Sequence, residues 1–228
     1  MATYVMSDIH GHYENYLQFL QQSSFSDNDT LYIIGDILNR GPSAIPLIQD
    51  IMKKKNVISL KGNHESMLFP VLSDLICQSK ETQQDIIKEE LATAPIGQEE
   101  TLRDFCKLTN KEQNEIINFI NKLPLYKEIE VSGVNYILVH GGLPDFSEMP
   151  LEYYTENELM FGPHDYFINH YDNGSKIIVG HKPTKFIEGA TPNEIYHIND
   201  SIAIDCGCGF GGQLGVLCLD TMEEMYFS

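Results

Sequence analysis

Seven side chains able to bind metal or move a proton are spread along this 228-residue chain, each shortly after a run of β-prone apolar residues. Asp8 and His10 follow Thr3–Met6, and Asp36 follows Leu31–Ile34. Asn63 and His64 follow Val57–Leu60, His140 follows Tyr136–Val139, and His181 follows Ile177–Val179. Carboxylate, imidazole and amide oxygen are the donors that divalent first-row metals accept. Taken singly, each of these residues is an ordinary turn residue or surface group. Asp-x-His-Gly, Gly-Asp and Gly-Asn carry little information alone. Five such segments in order, each behind a strand, are harder to explain by packing. Loops at the carboxyl ends of neighbouring strands converge in space, so these donors can meet.

Between the first three runs, Tyr13–Gln22 and Ser43–Lys55 carry apolar residues at helical spacing. A β-α-β-α-β opening predicts a sheet covered by helices. Later the runs crowd together: Lys127–Val131, Val134–Val139, Glu194–His197, Ser201–Ile204, Gly215–Asp220 and Glu224–Phe227. Ser132-Gly133 and the residues around Asn199-Asp200 read as hairpin turns. Residues 66–123 lack a strand-like run and read as a helical lobe, with helices over Glu65–Gln78, Thr82–Leu91, Glu99–Lys107 and Lys111–Leu123, interrupted at Ala94-Pro95-Ile96-Gly97. Thr109-Asn110-Lys111-Glu112 has the pattern of a capped helix start. The expected fold is α/β in the α+β sense: one domain over 1–228, with two packed mixed β-sheets flanked by helices. The lobe at 66–123 is inserted between the third and fourth motifs, where it can overhang the site. No internal repeat is present.

Thirty-three Asp and Glu against fifteen Lys and Arg give a formal charge of −18. Such a surface repels nucleic acid and anionic membrane. It would also repel a phosphorylated substrate, unless bound cations supply a local positive centre. The start, Met1-Ala2-Thr3-Tyr4, resembles neither a secretory leader nor a spanning segment. Cys77, Cys106, Cys206, Cys208 and Cys218 are odd in number and scattered, so they read as reduced cytoplasmic thiols rather than a disulfide framework. The lone C-x-C pair does not make a structural zinc site.

The motifs resemble those of the phosphoprotein phosphatase branch of the calcineurin-like metallophosphoesterases, which read G-D-x-H-G, G-D-x-x-D-R-G, G-N-H-E, H-G and G-H. Here they stand as Ser7-Asp8-Ile9-His10-Gly11, Gly35-Asp36-Ile37-Leu38-Asn39-Arg40-Gly41, Gly62-Asn63-His64-Glu65, His140-Gly141-Gly142 and Gly180-His181. Ile204-Asp205 and Gly211-Gly212 resemble the final segment. The short length is similar to that of bacterial and phage members, which include protein phosphatases and symmetrical dinucleoside-tetraphosphate hydrolases. The resemblance implies that Asp8 and His10 hold one metal, that Asp36 bridges two, and that Asn63, His140 and His181 complete the second. Two divalent ions about 3.5–4 Å apart would clamp a phosphate and make a water acidic enough to attack in line. Mn²⁺ is the leading candidate, and Fe or Zn²⁺ accept the same donors. By the same resemblance, His64 protonates the leaving oxygen and Arg40 grips phosphate oxygens through its planar fork.

Two departures matter. Asn39 stands where the family has an acidic residue that orients the acid histidine. An amide can orient His64 but cannot lend it charge, so a lower pKa and slower turnover of difficult leaving groups are expected. A later phosphate-gripping Arg is also missing from Leu159–His164, leaving Lys182 or His164 as substitutes, and Gln213 stands where relatives often have Arg. His12 reads as a second ring around the site or as surface, and His170 and His197 as ordinary. Asp205 reads as a support for a ligand histidine or as a turn residue, and Tyr153-Tyr154 as a partly exposed loop. Three functions follow: a phosphatase of phosphoprotein Ser/Thr (or Tyr) side chains or small phosphate esters, a symmetrical dinucleoside-tetraphosphate hydrolase, or a weakly active metal-binding regulator. The few Lys and Arg count mildly against the second. The intact ligand set counts against the third.

Overall fold

A computed structural model describes residues 1–93, 96–143, 150–162 and 174–228. Two five-stranded sheets face each other. The first runs β10-β9-β1-β2-β3, with β1 at Thr3–Met6, β2 at Thr30–Ile34, β3 at Val57–Leu60, β9 at Leu214–Cys218 and β10 at Glu223–Phe227. Its β1, β2 and β3 are mutually parallel, joined through helices α1 (Tyr13–Gln22) and α2 (Ala44–Ile51). The second runs β4-β5-β6-β8-β7, with β4 at Tyr126–Val131, β5 at Val134–Val139, β6 at Lys176–Val179, β7 at Tyr196–Ile198 and β8 at Ser201–Ala203. Here β5, β6 and β8 are parallel, and the outer strands antiparallel.

Side-chain alternation along the strands builds the layers. Val5, Ile34, Leu60 and Leu217 of the first sheet meet Leu138, Ile178 and Ile202 of the second in one apolar cluster between the sheets. Met6, Leu31 and Ile33 face the other way, into a cluster with Phe19, Leu47 and Ile48 of the two crossover helices. That cluster also takes in Leu68 and Leu72 of α3 (Asn63–Ile76), Leu102 and Phe105 of α5 (Glu99–Phe105), and Ile116 and Ile120 of α6 (Asn110–Asn121). The lobe helices, which include α4 (Lys80–Thr93), therefore share the core of the first sheet. On the outer face of the second sheet, Ile137, Val139, Ile177 and Val179 pack with Leu151, Leu159 and Tyr154. The order of layers is helix, sheet, sheet, short helix, and the two-sheet architecture is the expected one.

The differences from expectation are local. The third motif does not sit in a loop: α3 begins at Asn63, so Asn63 and His64 occupy the first turn of a helix. The helix expected over Ser43–Lys55 ends at Ile51, and β7 begins two residues later than expected and ends one later. An unexpected helix α7 spans Glu156–Phe161 behind a capping box, in which Thr155 Oγ1 accepts the Glu158 N–H. Tyr153 is exposed on a short turn, but Tyr154 is buried. The Ser132-Gly133 turn has positive φ at both residues, as a two-residue hairpin of this hand requires. All five cysteines are free. Among the described residues, no helix is long and apolar enough to cross a membrane.

Candidate metal centre

The carboxyl ends of β1, β2, β3, β5 and β6 lie along one rim shared by both sheets, and the motif residues gather there. Asp36, His10 and His64 bring donor atoms within 4.8 Å of one another, and Asp36, His140 and His181 do the same. Asp36 belongs to both groups: its Oδ2 lies 3.6 Å from His10 Nε2, and its Oδ1 lies 3.4 Å from His140 Nε2. Asn63 Oδ1 lies 2.8 Å from His140 Nε2 and 2.8 Å from His181 Nδ1, so the amide oxygen sits at the meeting point of two imidazoles. Asp8 stands beside both groups. Its Oδ2 accepts from the Ser7 hydroxyl and, at 3.0 Å, from the His181 N–H, and its Oδ1 is 3.8 Å from His10 Nε2. All six expected ligands are thus brought together. His64 also comes close, with Nε2 3.9 Å from Asp36 Oδ2, so distance alone does not separate the expected acid from the ligands.

The backbone is bent to achieve this convergence. Asp8, His10, Asp36, Asn39, Arg40 and His181 all have φ between +49° and +70°. A non-glycine residue in this region costs on the order of 1–2 kcal/mol. Six such residues at one rim, away from the strands' own hydrogen bonds, mark a site where geometry is maintained at the expense of stability. Gly62 permits a close crossing: a Cβ there would run into the Asp36 carboxylate and backbone nitrogen.

Fixed partners orient the rings. His10 Nδ1 is 3.0 Å from the Leu38 carbonyl, and His140 Nδ1 is 2.8 Å from the Ile34 carbonyl. Each Nδ1 carries the proton it donates, which leaves Nε2 as a lone-pair donor pointed into the site. Glu65 holds the Asp36 loop: its carboxylate accepts the N–H groups of Asp36, Ile37 and Leu38 at 2.8, 2.9 and 3.0 Å, and that of Gly62 at 3.0 Å. Sequence reasoning gave Glu65 no role, although a Glu three residues after a helix start is the second half of a capping box.

Burial dominates the electrostatics. It pushes the His10 pKa down to about 3 and those of His64 and His181 down to about 4, keeping these rings neutral, as metal ligation requires. Burial works the same way on His140, but Asp36 and then Asp8 outweigh it and raise that ring to about 10. Burial raises Asp8 to about 6 and Glu65 to about 7, the latter against the pull of its backbone N–H partners. Asp36 is also disfavoured by burial, yet the surrounding imidazoles hold it well below the usual carboxylate range. Two carboxylates, imidazoles oriented by fixed partners and an amide oxygen suit divalent cations, and the donor set fits two of them sharing Asp36.

The remaining predicted residues lie around this core or apart from it. Asn39 Nδ2 is 2.9 Å from His64 Nδ1, and Asn39 Oδ1 is buried without a hydrogen-bond partner. An amide has a donor and an acceptor end, so a half-turn would let it receive a proton from Nδ1 instead. Arg40 Nη1 is 2.7 Å from His10 Nε2, and its guanidinium lies 4.1 Å over the Phe210 ring. The inserted lobe reaches this pair, since the Asn39 N–H donates to Thr101 Oγ1 and the Arg40 N–H to the Gly97 carbonyl. Lys182 is exposed, and the cation nearest Phe210 besides Arg40 is Lys185, which sequence reasoning passed over. His164 and His170 lie outside the described residues. His12 is half-buried behind the first motif, and His197 pairs with Glu224 at 2.8 Å, away from the site. Asp205 is a turn residue, accepting the Gly207 N–H at 2.8 Å.

The family model of the calcineurin-like phosphoesterases matches residues 1–211. The chain belongs to this family. As a calcineurin-like phosphoesterase it is a metallophosphoesterase hydrolase, a family with a dinuclear divalent metal centre, and its rim carries groups able to bind metal. The chain is 24% identical, over 92% of its length and 85% of the relative's, to the asymmetrical bis(5'-nucleosyl)-tetraphosphatase PrpE of Oceanobacillus iheyensis. It is 29% identical, over 63% of its length, to the symmetrical bis(5'-nucleosyl)-tetraphosphatase of Nitrosococcus oceani, of which the match spans only 45%. A crystal structure provisionally described as a diadenosine tetraphosphatase superposes with a TM-score of 0.66, at 18% identity, over 99% of this chain and 92% of that one.

Proposed function

We propose that this chain is a two-metal phosphohydrolase that cleaves phosphate bonds with good leaving groups, above all the phosphoanhydride of a dinucleoside polyphosphate. The observation that carries this reading is the pairing of His64 with the neutral amide of Asn39. Acid catalysis counts most when the leaving oxygen is basic. A serine or threonine alkoxide needs its proton in the transition state, and an acid that is still protonated at the working pH to deliver it. A terminal phosphate leaves as an anion whose second pKa is about 6, and a phenol has a pKa of about 10. A histidine with no carboxylate behind it, held low by burial, serves such leaving groups and serves alkoxides poorly. The named relatives that share most of the chain, or its motif half, act on bis-nucleosyl tetraphosphates, which supports the same choice.

The residues divide the work. Asp8, His10, Asp36, Asn63, His140 and His181 would hold two divalent ions, with Mn²⁺ proposed first. Those ions would supply Lewis-acid polarisation of the phosphate oxygens and activation of water. Arg40, exposed at the mouth, binds phosphate oxygens through its fork. His64 presents Nε2 to the leaving oxygen. Five free thiols, three of them buried, suit a reducing compartment, and we place the protein in the cytoplasm.

The test is a rate comparison in Mn²⁺ on diadenosine tetraphosphate, an aryl phosphate and a phosphoserine peptide. The expected order puts the first two ahead of the peptide by about 10²-fold, within the span that general acid catalysis supplies. A phosphoserine peptide turned over fastest would overturn the reading in favour of a protein phosphatase. Full metal occupancy without turnover of any of the three would identify a regulatory metal protein.

A further inference from the structure

Four large aromatic side chains are exposed among the described residues: Tyr153, Phe161, Phe186 and Phe210. Single exposed apolar residues are common and need no explanation. Two of these four, however, touch groups at the mouth of the metal centre, and a third shares a lysine with one of them. Phe161 stands edge-on to the His181 ring at 5.8 Å. Phe210 lies under Arg40, and Lys185 Nζ is 5.1 Å from the centroids of both Phe210 and Phe186. Two rings, 49% and 61% exposed, therefore flank one ammonium, and a guanidinium links one of them to His10.

The arrangement is built into the fold. Phe210 rides on a tight turn closed by the Phe210 and Gly212 N–H groups, both on the Gly207 carbonyl, with Gly207 and Gly211 at φ 78° and 76°. Phe186 rides on a second turn, closed by its N–H on the Pro183 carbonyl. Buried Asp205 ties the two turns together: its carbonyl accepts the Thr184 N–H and its Oδ1 accepts the Gly207 N–H. Neither exposed ring is needed for the core.

We infer that Phe186 and Phe210, with Lys185 between them, form the subsite that stacks the nucleobase of a substrate whose phosphate sits at Arg40. This deepens the proposed function and rests on its placement of phosphate at the metal centre. Base–aromatic stacking accepts any base, because every base has a π-face. In a chain of charge −18, two cations beside exposed rings favour an aromatic group that arrives attached to phosphate. Arg40 contacts both His10 and Phe210, so the ring lies within one guanidinium's reach of the ligand sphere. A ribose bridges that separation naturally.

The test isolates the base. Binding of AMP and of ribose 5-phosphate, in which a hydroxyl replaces the base, is measured by calorimetry on the Mn²⁺-loaded full chain, without reference to turnover. The expected result is AMP binding tighter by about 10-fold, within the range of about 1–3 kcal/mol for stacking one base. The Phe186→Ala and Phe210→Ala variants should each lower the AMP-to-ribose-phosphate ratio, and the double variant should bring it near one. Equal affinity for the two ligands in the unmodified chain would overturn the inference, as would a ratio untouched by both substitutions. Binding of a phosphotyrosine peptide that depends on these rings, without preference for AMP, would assign the platform to a phenol ring and overturn it too. Failure to cleave diadenosine tetraphosphate, with the AMP preference intact, would instead count against the proposed reaction and leave the subsite standing.

Discussion

The two sides of the catalytic rim are constructed differently. On the metal-facing side, the donor-bearing loops are buried and fixed to backbone. His10 and His140 are held by carbonyls of the β2 strand and the loop after it, and Asp36 by the four N–H groups gathered on Glu65. On the substrate-facing side, Asn39 and Arg40 have left-handed backbones braced by the inserted lobe, Asn39 Oδ1 has no partner, and Phe186 and Phe210 stand in solvent. The first side is over-determined and suits an invariant task, holding metal. The second has few constraints and can be altered without disturbing the first. The Asn39 departure from the family pattern falls on the second side.

If that contrast is right, substitutions on the metal side should remove metal, and those on the substrate side should change kinetics at constant metal. The largest effect is expected from Glu65→Gln. A glutamine amide has one acceptor oxygen, so whichever way it turns, its NH₂ group faces backbone N–H donors and leaves them unpaired. Each buried orphan donor costs about 1–3 kcal/mol. Unfolding free energy should fall by about 3 kcal/mol, and metal affinity by about 10–100-fold, as for other residues that support ligands. Denaturant titration together with metal content by mass spectrometry checks both. Retention of two metals per chain at unchanged affinity would sink the contrast.

Asn39→Asp should act on the other side alone. A carboxylate beside Nδ1 favours the charged imidazolium, so the His64 pKa moves up from its burial-depressed value. With a higher pKa the acid form persists to higher pH, and the alkaline limb of the pH–rate profile should shift upward. The rate on a phosphoserine peptide should rise by roughly 10-fold or more, and the rate on diadenosine tetraphosphate should change little, because its leaving group needs less help. Metal content should stay the same. An equal gain on both substrates would mean that leaving-group basicity is not what Asn39 controls.

The same division governs what was legible in the sequence. The metal side could be read because its residues punctuate strands: each donor terminates an apolar run, and strand order brings the ends together. The two-sheet fold was legible for the same reason, through alternation and short turns such as Ser132-Gly133. The start of α3 was misplaced because Gly62 offers no capping side chain, so Asn63 and His64 looked like loop residues. Helix α7 was missed because six residues are too few to show a period, although Thr155-x-x-Glu158 was there to be recognised. Phe186, Lys185 and Phe210 carried no local signal at all. Their meaning lies in exposure and in proximity to Arg40, and both are properties of tertiary structure.

The smallest effect tests whether the inserted lobe belongs to the substrate side. Gly97 has φ 78°, and a Cβ there would lie 2.9 Å from Arg40 Cγ and 3.1 Å from Arg40 Cα. Its carbonyl also accepts the Arg40 N–H at 2.6 Å. Gly97→Ala therefore strains its own backbone by about 1–2 kcal/mol and pushes on the segment that aims the guanidinium. With phosphate placed at Arg40 in substrate and transition state alike, as proposed, the expected signature is a KM raised a few-fold with kcat nearly constant, which is the mark of lost uniform binding. Metal content should not move, since the atoms that the added Cβ would meet all belong to Arg40 and none to a metal-binding side chain. A change in kcat with KM constant would place the lobe's influence on Asn39 and the proton at His64 instead, through the Thr101 contact. A loss of metal would mean that the two sides are mechanically one.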